Sequence, residues 1–431
     1  MALDVLVVGG GGREHALVRS LKRCPGLGRL LVAPGNAGMA GDAELFRIDV
    51  EDTEALADLA ERESVDLTVV GPEAPLVAGI VDVFLSRGLT IFGPEREAAL
   101  MEGSKSFAKD VMRAAGVPTG NAEYHNRYES ALERVRERGA PVVVKADGLA
   151  AGKGVTVAQT LEEAEEALRE CFLDKRFGSS GESVLLEECL EGEELSLLAI
   201  VSDNQVLPLA PAQDYKPIFD GGKGPNTGGM GSYSPVPSVS REMYDRIVET
   251  IIRPTVNELQ RRGFHYRGVL YAGLMLTEHG PYVLEFNCRF GDPEAQALIP
   301  RLESDILDIL WAAARGEEIP QEAEWSQGPC VAVVMASRGY PASSSRGDVV
   351  TGLDKVSSLP GVDVFHAGTQ WKDGSLVTNG GRILAVTALG NNYAQARARS
   401  YEAVENIRFA GAQYRTDIGE KAEQLEKEGK V

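Results

Sequence analysis

Glu285, Asn287 and Arg289 fall at alternate positions in VLEFNCRFGDPE, residues 283–294. Val283 to Asn287 reads as a strand, rich in β-branched and aromatic residues and entered from the turn signal His279-Gly280-Pro281. Side chains alternate along a strand, so Glu285 and Asn287 share one face while Leu284 and Phe286 share the other. Arg289 joins the polar face if the strand runs on. Oxygen ligands suit a hard cation such as Mg²⁺, and a guanidinium fork suits phosphate oxygens. This face could therefore hold phosphate through a divalent ion. A surface strand carrying a salt bridge has the same pattern.

Three other stretches offer chemistry. PVVVKADGLAAGKGVTVAQ (141–159) predicts a strand ending in Lys145, a small-residue loop from Asp147 to Gly154 that includes Gly152 and Lys153, and a second strand from Val155 to Ala158. It is not a Walker A loop: only Leu149, Ala150 and Ala151 separate Gly148 from Gly152, and Lys153 is followed by glycine. A glycine hairpin flanked by two lysines predicts a flap over phosphates, with loop N–H groups and Lys153 meeting the oxygens. Gly9 to Gly12 lie between a first strand and a first helix, a place for an anion. The dinucleotide fingerprint fails there, because position 14 is Glu and no acid ends the second strand. A single phosphate on Gly10, Gly11, Gly12 and Arg13 fits better, with Gly35-Asn36 and Pro72-Glu73 closing the same crevice. A tight turn without a ligand is the alternative. AQDYKPIFDGGKGPNTGGMGSYSP (212–235) is glycine-dense and poor in secondary-structure signal, and such long loops are usually functional or disordered. Its Asp214, Lys216, Asn226, Thr227, Gly228 and Gly229 suit a substrate loop.

The elements that position these residues follow in chain order. Apolar runs at 5–9, 30–34, 67–71 and 90–94, separated by helical stretches from Arg13 to about Arg23 and near 52–63 and 75–87, predict a doubly wound sheet over about the first hundred residues. Residues 104–115 read as a helix capped by Ser104 and ended by Gly116, with Lys105 and Lys109 on one face as a solvated pair. An acidic helix is expected over 161–173. VLLEECLEGEELSLLAI (184–200) gives two strands around a Glu-rich turn, either a purine hinge or a charged surface hairpin. A helix near 240–262, a strand over 269–277 and a helix from DPEAQALIPRL to about Arg315 follow. From about 328, strands at 330–337, 362–369 and 382–388 and a helix near 392–408 predict a compact α+β module, with a frayed helical tail after Gly419.

Composition narrows the function classes. The 431 residues leave room for two to four domains. The 64 acids against 44 bases, a formal net charge of −20, argue against nucleic acid or an anionic membrane as partner. Five cysteines, scattered and without a C-x-x-C, fit free thiols in a reducing compartment. The opening MALDVLVVGG has no basic n-region, so no signal peptide is expected, and no apolar run approaches the ~20 residues of a membrane span.

The order of motifs is similar to a known family. GGGGREHA (9–16), PGNAG (34–38), GPEAPL (71–76), KADGLAAGKGV (145–155), GPNTGGMGSYSP (224–235), YAGLM (271–275), EFNCRFGDPE (285–294) and FHAGT (365–369) resemble the phosphoribosylamine–glycine ligases, or glycinamide ribonucleotide synthetases, of the ATP-grasp superfamily. The match runs over nearly the whole chain, and the 224–235 and 285–294 segments are the most diagnostic. Two stretches depart from the pattern. Asp-Tyr-Lys-Pro follows Gln213 where Asp-His-Lys-Arg is expected, and residues 341–347 read PASSSRG where a glycine and a tyrosine usually follow the proline.

The resemblance implies an α/β and α+β architecture. A doubly wound, Rossmann-like pre-ATP-grasp domain would span 1–103, and a two-part ATP-grasp region 104–327 with a flap subdomain inserted at about 121–190. A small α+β domain would span 328–431. It implies ATP and Mg²⁺ (or Mn²⁺), glycine and 5-phosphoribosylamine as substrates, and a cytoplasmic monomer. Lys145 and Lys153, with Lys105, Gly152 and Gly154, would meet the ATP phosphates, and Glu187, Leu190 and Glu194 would form the adenine and ribose hinge. Glu285 and Asn287 would hold the metal. Arg289, Asp292, Asp214 and Lys216 would border the acyl phosphate and acceptors, and the N-terminal crevice would take the sugar phosphate. The strand LYAGLMLT lacks the extra metal carboxylate found in many relatives of the superfamily. Competing readings are another ATP-grasp ligase, such as a biotin carboxylase or a carboxyaminoimidazole ribonucleotide synthetase, a nicotinamide oxidoreductase, and a non-catalytic nucleotide sensor.

Overall fold

The computed structural model describes residues 2–149 and 154–430. Strands Glu44–Leu45, Leu27–Pro34, Leu3–Gly9, Leu67–Val70 and Ile91–Phe92 form, in that spatial order, a parallel five-stranded sheet. Val5 to Val8 are fully buried, as a strand covered on both faces requires. Gly9, Pro34 and Val70 end their strands at one edge, so the loops after them meet there. The helix predicted over 75–87 is broken at Gly79 (φ +94°) into Glu73–Ala78 and Ile80–Ser86.

Two four-stranded sheets follow. In the first, Ala122–His125, Val184–Glu188, Val142–Ala146 and Val155–Ala158 pair antiparallel. Helices Tyr128–Arg138 and Leu161–Phe172 pack on it through Ala131, Val135, Ala164 and Leu168. The second runs Gln205–Pro208, Glu193–Ser202, Arg267–Thr277, Gly280–Asn287. The segment 184–200 is therefore not a hairpin. Its two strands separate, one into each sheet, and the chain between them bridges the two layers.

The strand Gly280–Asn287 carries a bulge. Gly273 pairs with Glu285 but Leu274 pairs with Val283, which leaves Leu284 as the extra residue. A bulge interrupts alternation there, and Leu284, Glu285, Phe286 and Asn287 all line one cavity.

The third body contains a five-stranded antiparallel sheet in the order Gln213–Asp214, Gly231–Ser234, Cys330–Ala336, Arg382–Leu389, Val362–His366. Its first two strands come from the 212–235 segment, which is not plain loop. That segment pairs outward as Gln213–Asp214 and Gly231–Ser234 and folds on itself as the ribbon Pro217–Phe219 with Lys223–Asn226. A smaller sheet, Arg346–Val349, Ser375–Asn379 and Thr369–Lys372, had no clear sequence signal.

Three further helix expectations change. The run from 293 to 315 splits, because Pro300 has no N–H to donate and Asp305 caps a new start, accepting from the N–H groups of Leu307 and Asp308. The 240–262 helix widens to a π turn over Val248–Ile252, just before Pro254, whose ring would crowd the carbonyl four residues back. The tail is docked and not frayed: Ala422 is buried, Lys421 lies 2.7 Å from Glu193, and Glu423 pairs with Arg397. All five cysteines are free thiols. Among the described residues no helix is long and apolar enough to cross a membrane.

Candidate active site

A cavity of about 300 Å³ opens where these bodies meet. Lys105 and Lys109 enter from the helix Lys105–Ala115, whose N-cap is Ser104. They are not a solvated pair. Lys105 Nζ donates to the Gly148 carbonyl at 2.9 Å, and burial pulls its pKa down. Lys109 Nζ donates to Thr119 Oγ1 at 2.6 Å and to the Gly120 carbonyl at 3.0 Å, and it pairs with Glu187. Burial pulls Lys109 down as well, against the opposing charge of Glu187. Lys145 also pairs with Glu187 and donates to the Leu284 carbonyl at 2.9 Å. One carboxylate, 2% exposed, thus lies between two ammonium groups. Asp147, which opens the glycine loop, accepts from the Ser106 hydroxyl at 2.7 Å and the Ser106 N–H at 3.1 Å.

Glu285 lies on the wall facing these lysines. Burial alone would raise its pKa, but Lys216, Lys145, Lys105 and Arg289 outweigh that and hold it below the usual carboxylate value. Asn287 beside it accepts from Arg289 Nη2 at 3.2 Å. Arg289 bridges two carboxylates, with Nε 3.2 Å from Glu73 and Nη2 2.9 Å from Glu102. Burial raises Glu102. Glu73 is raised by burial too, yet Arg289 and Arg13 bring it down to about 2. Farther along, Lys216 lies 3.2 Å from Glu194, and burial pushes Asp214 up to about 7. Arg382 arrives from the last sheet. It lies 3.1 Å from the Asp292 carboxylate and donates to the Asp292 carbonyl at 2.7 Å and to the Gly228 carbonyl.

No group of three or more His, Cys, Asp or Glu is arranged to hold a metal among the described residues. Glu285 and Asn287 offer two hard oxygen donors beside lysines suited to phosphate. That set fits a cation such as Mg²⁺, which keeps waters and shares phosphate oxygens instead of occupying an all-protein cage.

Models of the phosphoribosylglycinamide synthetase N domain, ATP-grasp (A) domain and C domain match residues 3–102, 103–295 and 330–421. This chain belongs to the phosphoribosylglycinamide synthetase family. A Vibrio parahaemolyticus protein named phosphoribosylamine–glycine ligase is 48% identical over 99% of this chain and 100% of its own length. One of the same name from Pseudomonas aeruginosa is 49% identical, covering 97% and 98%. The crystal structure of phosphoribosylamine–glycine ligase from Thermotoga maritima superposes with a TM-score of 0.84 at 33% identity, over 96% of this chain and 100% of that one. A biotin carboxylase domain of Hydrogenobacter thermophilus 2-oxoglutarate carboxylase, solved with MgADP and bicarbonate, shares the fold at TM-score 0.74 and 18% identity, over 96% and 92% of the chains.

Within this synthetase-family cavity the walls include Arg13, Glu73, Lys105, Lys145, Gly154, Asp214, Lys216, Thr227, Gly228, Glu285, Asn287, Arg289 and Asp292. Gly152 and Lys153 lie outside the described residues. Gly10, Gly11, Gly12, Asn36, Asn226, Gly229, Glu187, Leu190 and Glu194 do not line the cavity. The reasons are local. The Gly11 N–H donates to the Glu14 carboxylate at 2.6 Å. Asn36 donates to the carbonyls of Gly10 (2.9 Å) and His366 (2.7 Å) and accepts from the Gly38 N–H, so its amide is occupied. Gly229, at φ +108°, lets the chain pass Pro293, whose Cδ would lie 2.3 Å from an added Cβ. Glu187 stands behind the wall, between its lysines.

Sequence reasoning missed Glu102, Lys109, Tyr271, Glu294 and Arg382, which all line the cavity. Lys109 had a local signal in its i, i+4 spacing from Lys105, and Tyr271 and Glu294 fall within the motifs YAGLM and EFNCRFGDPE, whereas Glu102 and Arg382 fall in none of the motifs. Tyr271 Oη donates to Glu294 at 2.5 Å, a pair assembled from a strand and a later helix. Lys109 carries a test of its own. Lys109→Met leaves the buried Glu187 with Lys145 alone, and breaking a buried pair by removing one partner costs about 3 kcal/mol or more. Denaturant unfolding should register that loss, and combining the change with Glu187→Gln should be clearly non-additive. A Lys109→Met protein as stable as the parent would mean that Lys145 alone satisfies Glu187.

Proposed function

We propose that the chain is an ATP-dependent ligase that joins glycine to 5-phosphoribosylamine through a glycyl phosphate. The products are glycinamide ribonucleotide, ADP and phosphate, in purine biosynthesis. The observation that carries this reading is the division of cations in one cavity. Lys105 and Lys145 act together on Glu285, Arg13 and Arg382 are tied to Glu14 and Asp292, and Arg289 lies between, reaching Asn287 as well as Glu73 and Glu102. Two phosphorylated substrates need such separated sets, one for a triphosphate and one for a sugar phosphate.

On this reading Lys105 and Lys145 neutralise ATP phosphates, and Glu285 and Asn287 would hold Mg²⁺ or Mn²⁺. A bound cation would screen the phosphate charge as phosphoryl transfer proceeds. The glycine carboxylate attacks the γ-phosphorus and ADP leaves. The amine of phosphoribosylamine then attacks the acyl carbon, inorganic phosphate leaves, and the amine loses a proton. Alignment and charge neutralisation do most of this, so no protein nucleophile is required. Asp214, Lys216, Arg289 and Asp292 border the place where the acyl phosphate would form. Arg13 and Glu73 mark the sugar-phosphate end. We assign 1–103 to acceptor binding, 104–327 to the ATP-grasp region with its flap at about 121–190, and 328–431 to the C-terminal domain that supplies Arg382.

The shared fold of biotin carboxylases defines the decisive experiment. ADP release should require both glycine and phosphoribosylamine and should be indifferent to bicarbonate. Release driven by bicarbonate without glycine would overturn the assignment.

A further inference from the structure

We propose that Tyr215 and Arg415 are positioning residues, forming a clamp by which the C-terminal segment 415–419 fixes the stretch of chain that presents Asp214 and Lys216 to the cavity. The inference rests on the ligase reading for the role of those two side chains. Tyr215 and Lys216 join the strands Gln213–Asp214 and Pro217–Phe219. Asp214 and Lys216 line the cavity. Tyr215 points the other way, with the Arg415 guanidinium 4.8 Å from its ring centroid and its hydroxyl accepting from the Gly419 N–H at 3.0 Å.

Arg415 is itself fixed. It is 3% exposed, donates to the Pro217 carbonyl at 3.0 Å, and meets Asp417 through Nε at 2.7 Å and Nη2 at 2.5 Å. The planar fork therefore has one face on the ring and its edges on a carboxylate and a backbone carbonyl, an arrangement that a lysine cannot reproduce. The link continues along the ribbon. Asp220 accepts from the N–H and hydroxyl of Thr416 at 2.8 and 2.6 Å, and the Gly221 N–H donates to Asp417 at 2.9 Å.

The cavity side has its own ties, to the strand Glu193–Ser202, where Lys216 Nζ lies 3.2 Å from the Glu194 carboxylate and Gln213 Nε2 donates to the Glu194 carbonyl at 2.7 Å, and to a neighbouring piece of the same loop. The Thr227 N–H and hydroxyl both donate to the Lys216 carbonyl, and the Tyr215 N–H donates to the Gly231 carbonyl. Those bonds set the backbone register within the loop. The clamp adds a tie from the residue between the two cavity side chains to the C-terminal segment 415–419, which does not line the cavity. Small displacements of groups that align reactants are expensive in rate. Losing the clamp should therefore act on turnover more than on nucleotide binding, because Lys105 and Lys145 belong to other elements.

The test compares the whole chain with Tyr215→Ala, Tyr215→Phe and Arg415→Lys. Tyr215→Ala should lower kcat for glycine- and phosphoribosylamine-dependent ADP release about tenfold, with KM for ATP within about twofold. Tyr215→Phe keeps the ring under Arg415 and should stay within about threefold of the parent. Hydrogen exchange over 213–219 should quicken in Tyr215→Ala and match the parent in Tyr215→Phe. If Tyr215→Ala does not fold, Arg415→Lys, which keeps the charge beside Asp417, should show the same selective fall in kcat. An unchanged kcat in folded Tyr215→Ala or Arg415→Lys overturns the proposal, as does an equal loss in kcat and ATP affinity. A parent protein without the two-substrate ADP release would instead strike the ligase reading, and the exchange comparison would then decide the clamp alone.

Discussion

Glu285→Gln reduces ligation about a thousandfold or more while the protein remains folded. Glutamine keeps the volume and one oxygen of the side chain but removes the charge. That charge answers Lys216, Lys145, Lys105 and Arg289 together. Without it, a divalent ion loses its only anionic protein ligand on the strand, and the four cations are left to repel one another and the metal. Residual turnover should therefore rise with added Mg²⁺ without approaching the parent rate. Alanine is the poorer probe, since Glu285 is half-buried and its removal would also open space in the wall. Stability carries a second readout. The folded pKa lies below the ordinary value, so the carboxylate stabilises the fold above the unfolded pKa, and this contribution fades as pH falls through the folded one. Thermal melts of Glu285→Gln should lose that part of the acid dependence. Near-normal turnover at saturating Mg²⁺ would sink the metal assignment.

What could be read before the structure was whatever depends on near neighbours in the chain. The parallel sheet was legible because its strands are short apolar runs buried on both faces. The helix after Ser104 was legible because its cap and its Gly116 stop lie within the helix's own sequence, and the Ser104 side chain does accept from the Phe107 N–H. Glu285 and Asn287 could be placed together because their spacing alone puts them on one face. The failures depend on partners from afar. The bulge at Leu284 is set by the register of the adjoining strand. Lys109, on a helix, is buried against Glu187, which arrives from the strand Val184–Glu188, 78 positions later. Arg382 meets the Asp292 carbonyl across 90 residues of chain, and nothing in RILAVTA marks that arginine as different from one on a surface strand. The departure at Tyr215 and Pro217 was visible as a departure. Its meaning depends on Arg415, 200 positions later, which packs on one and bonds to the carbonyl of the other.

Arg13→Met raises KM for phosphoribosylamine about ten- to a hundredfold and leaves KM for ATP within about twofold. The glycines beside Arg13 are the weaker probes. An added Cβ at Gly11 would lie 2.7 Å from the Glu14 carboxylate and 3.4 Å from Asp292, so Gly11→Val disturbs the helix start before it can report on a ligand. Arg13 is different because its side chain lines the cavity. It is held by Glu14 at 2.5 Å and by the Phe290 carbonyl at 3.1 Å, which leave donors of the fork for an incoming anion. It stands in the first turn of the helix Gly12–Leu21, where unpaired N–H groups and the positive end of the dipole favour a phosphate monoester. Its charge already reaches the cavity, since it helps Arg289 hold Glu73 down to about 2 against the effect of burial. Lys105 and Lys145 approach from a different helix and a different sheet, so removing Arg13 should leave the triphosphate end nearly as it was. Arg13→Lys should fall between, keeping the charge and losing the fork. A folded Arg13→Met protein whose defect lay in ATP binding would return the glycine loop to the nucleotide and leave the sugar phosphate to Arg289 and Arg382.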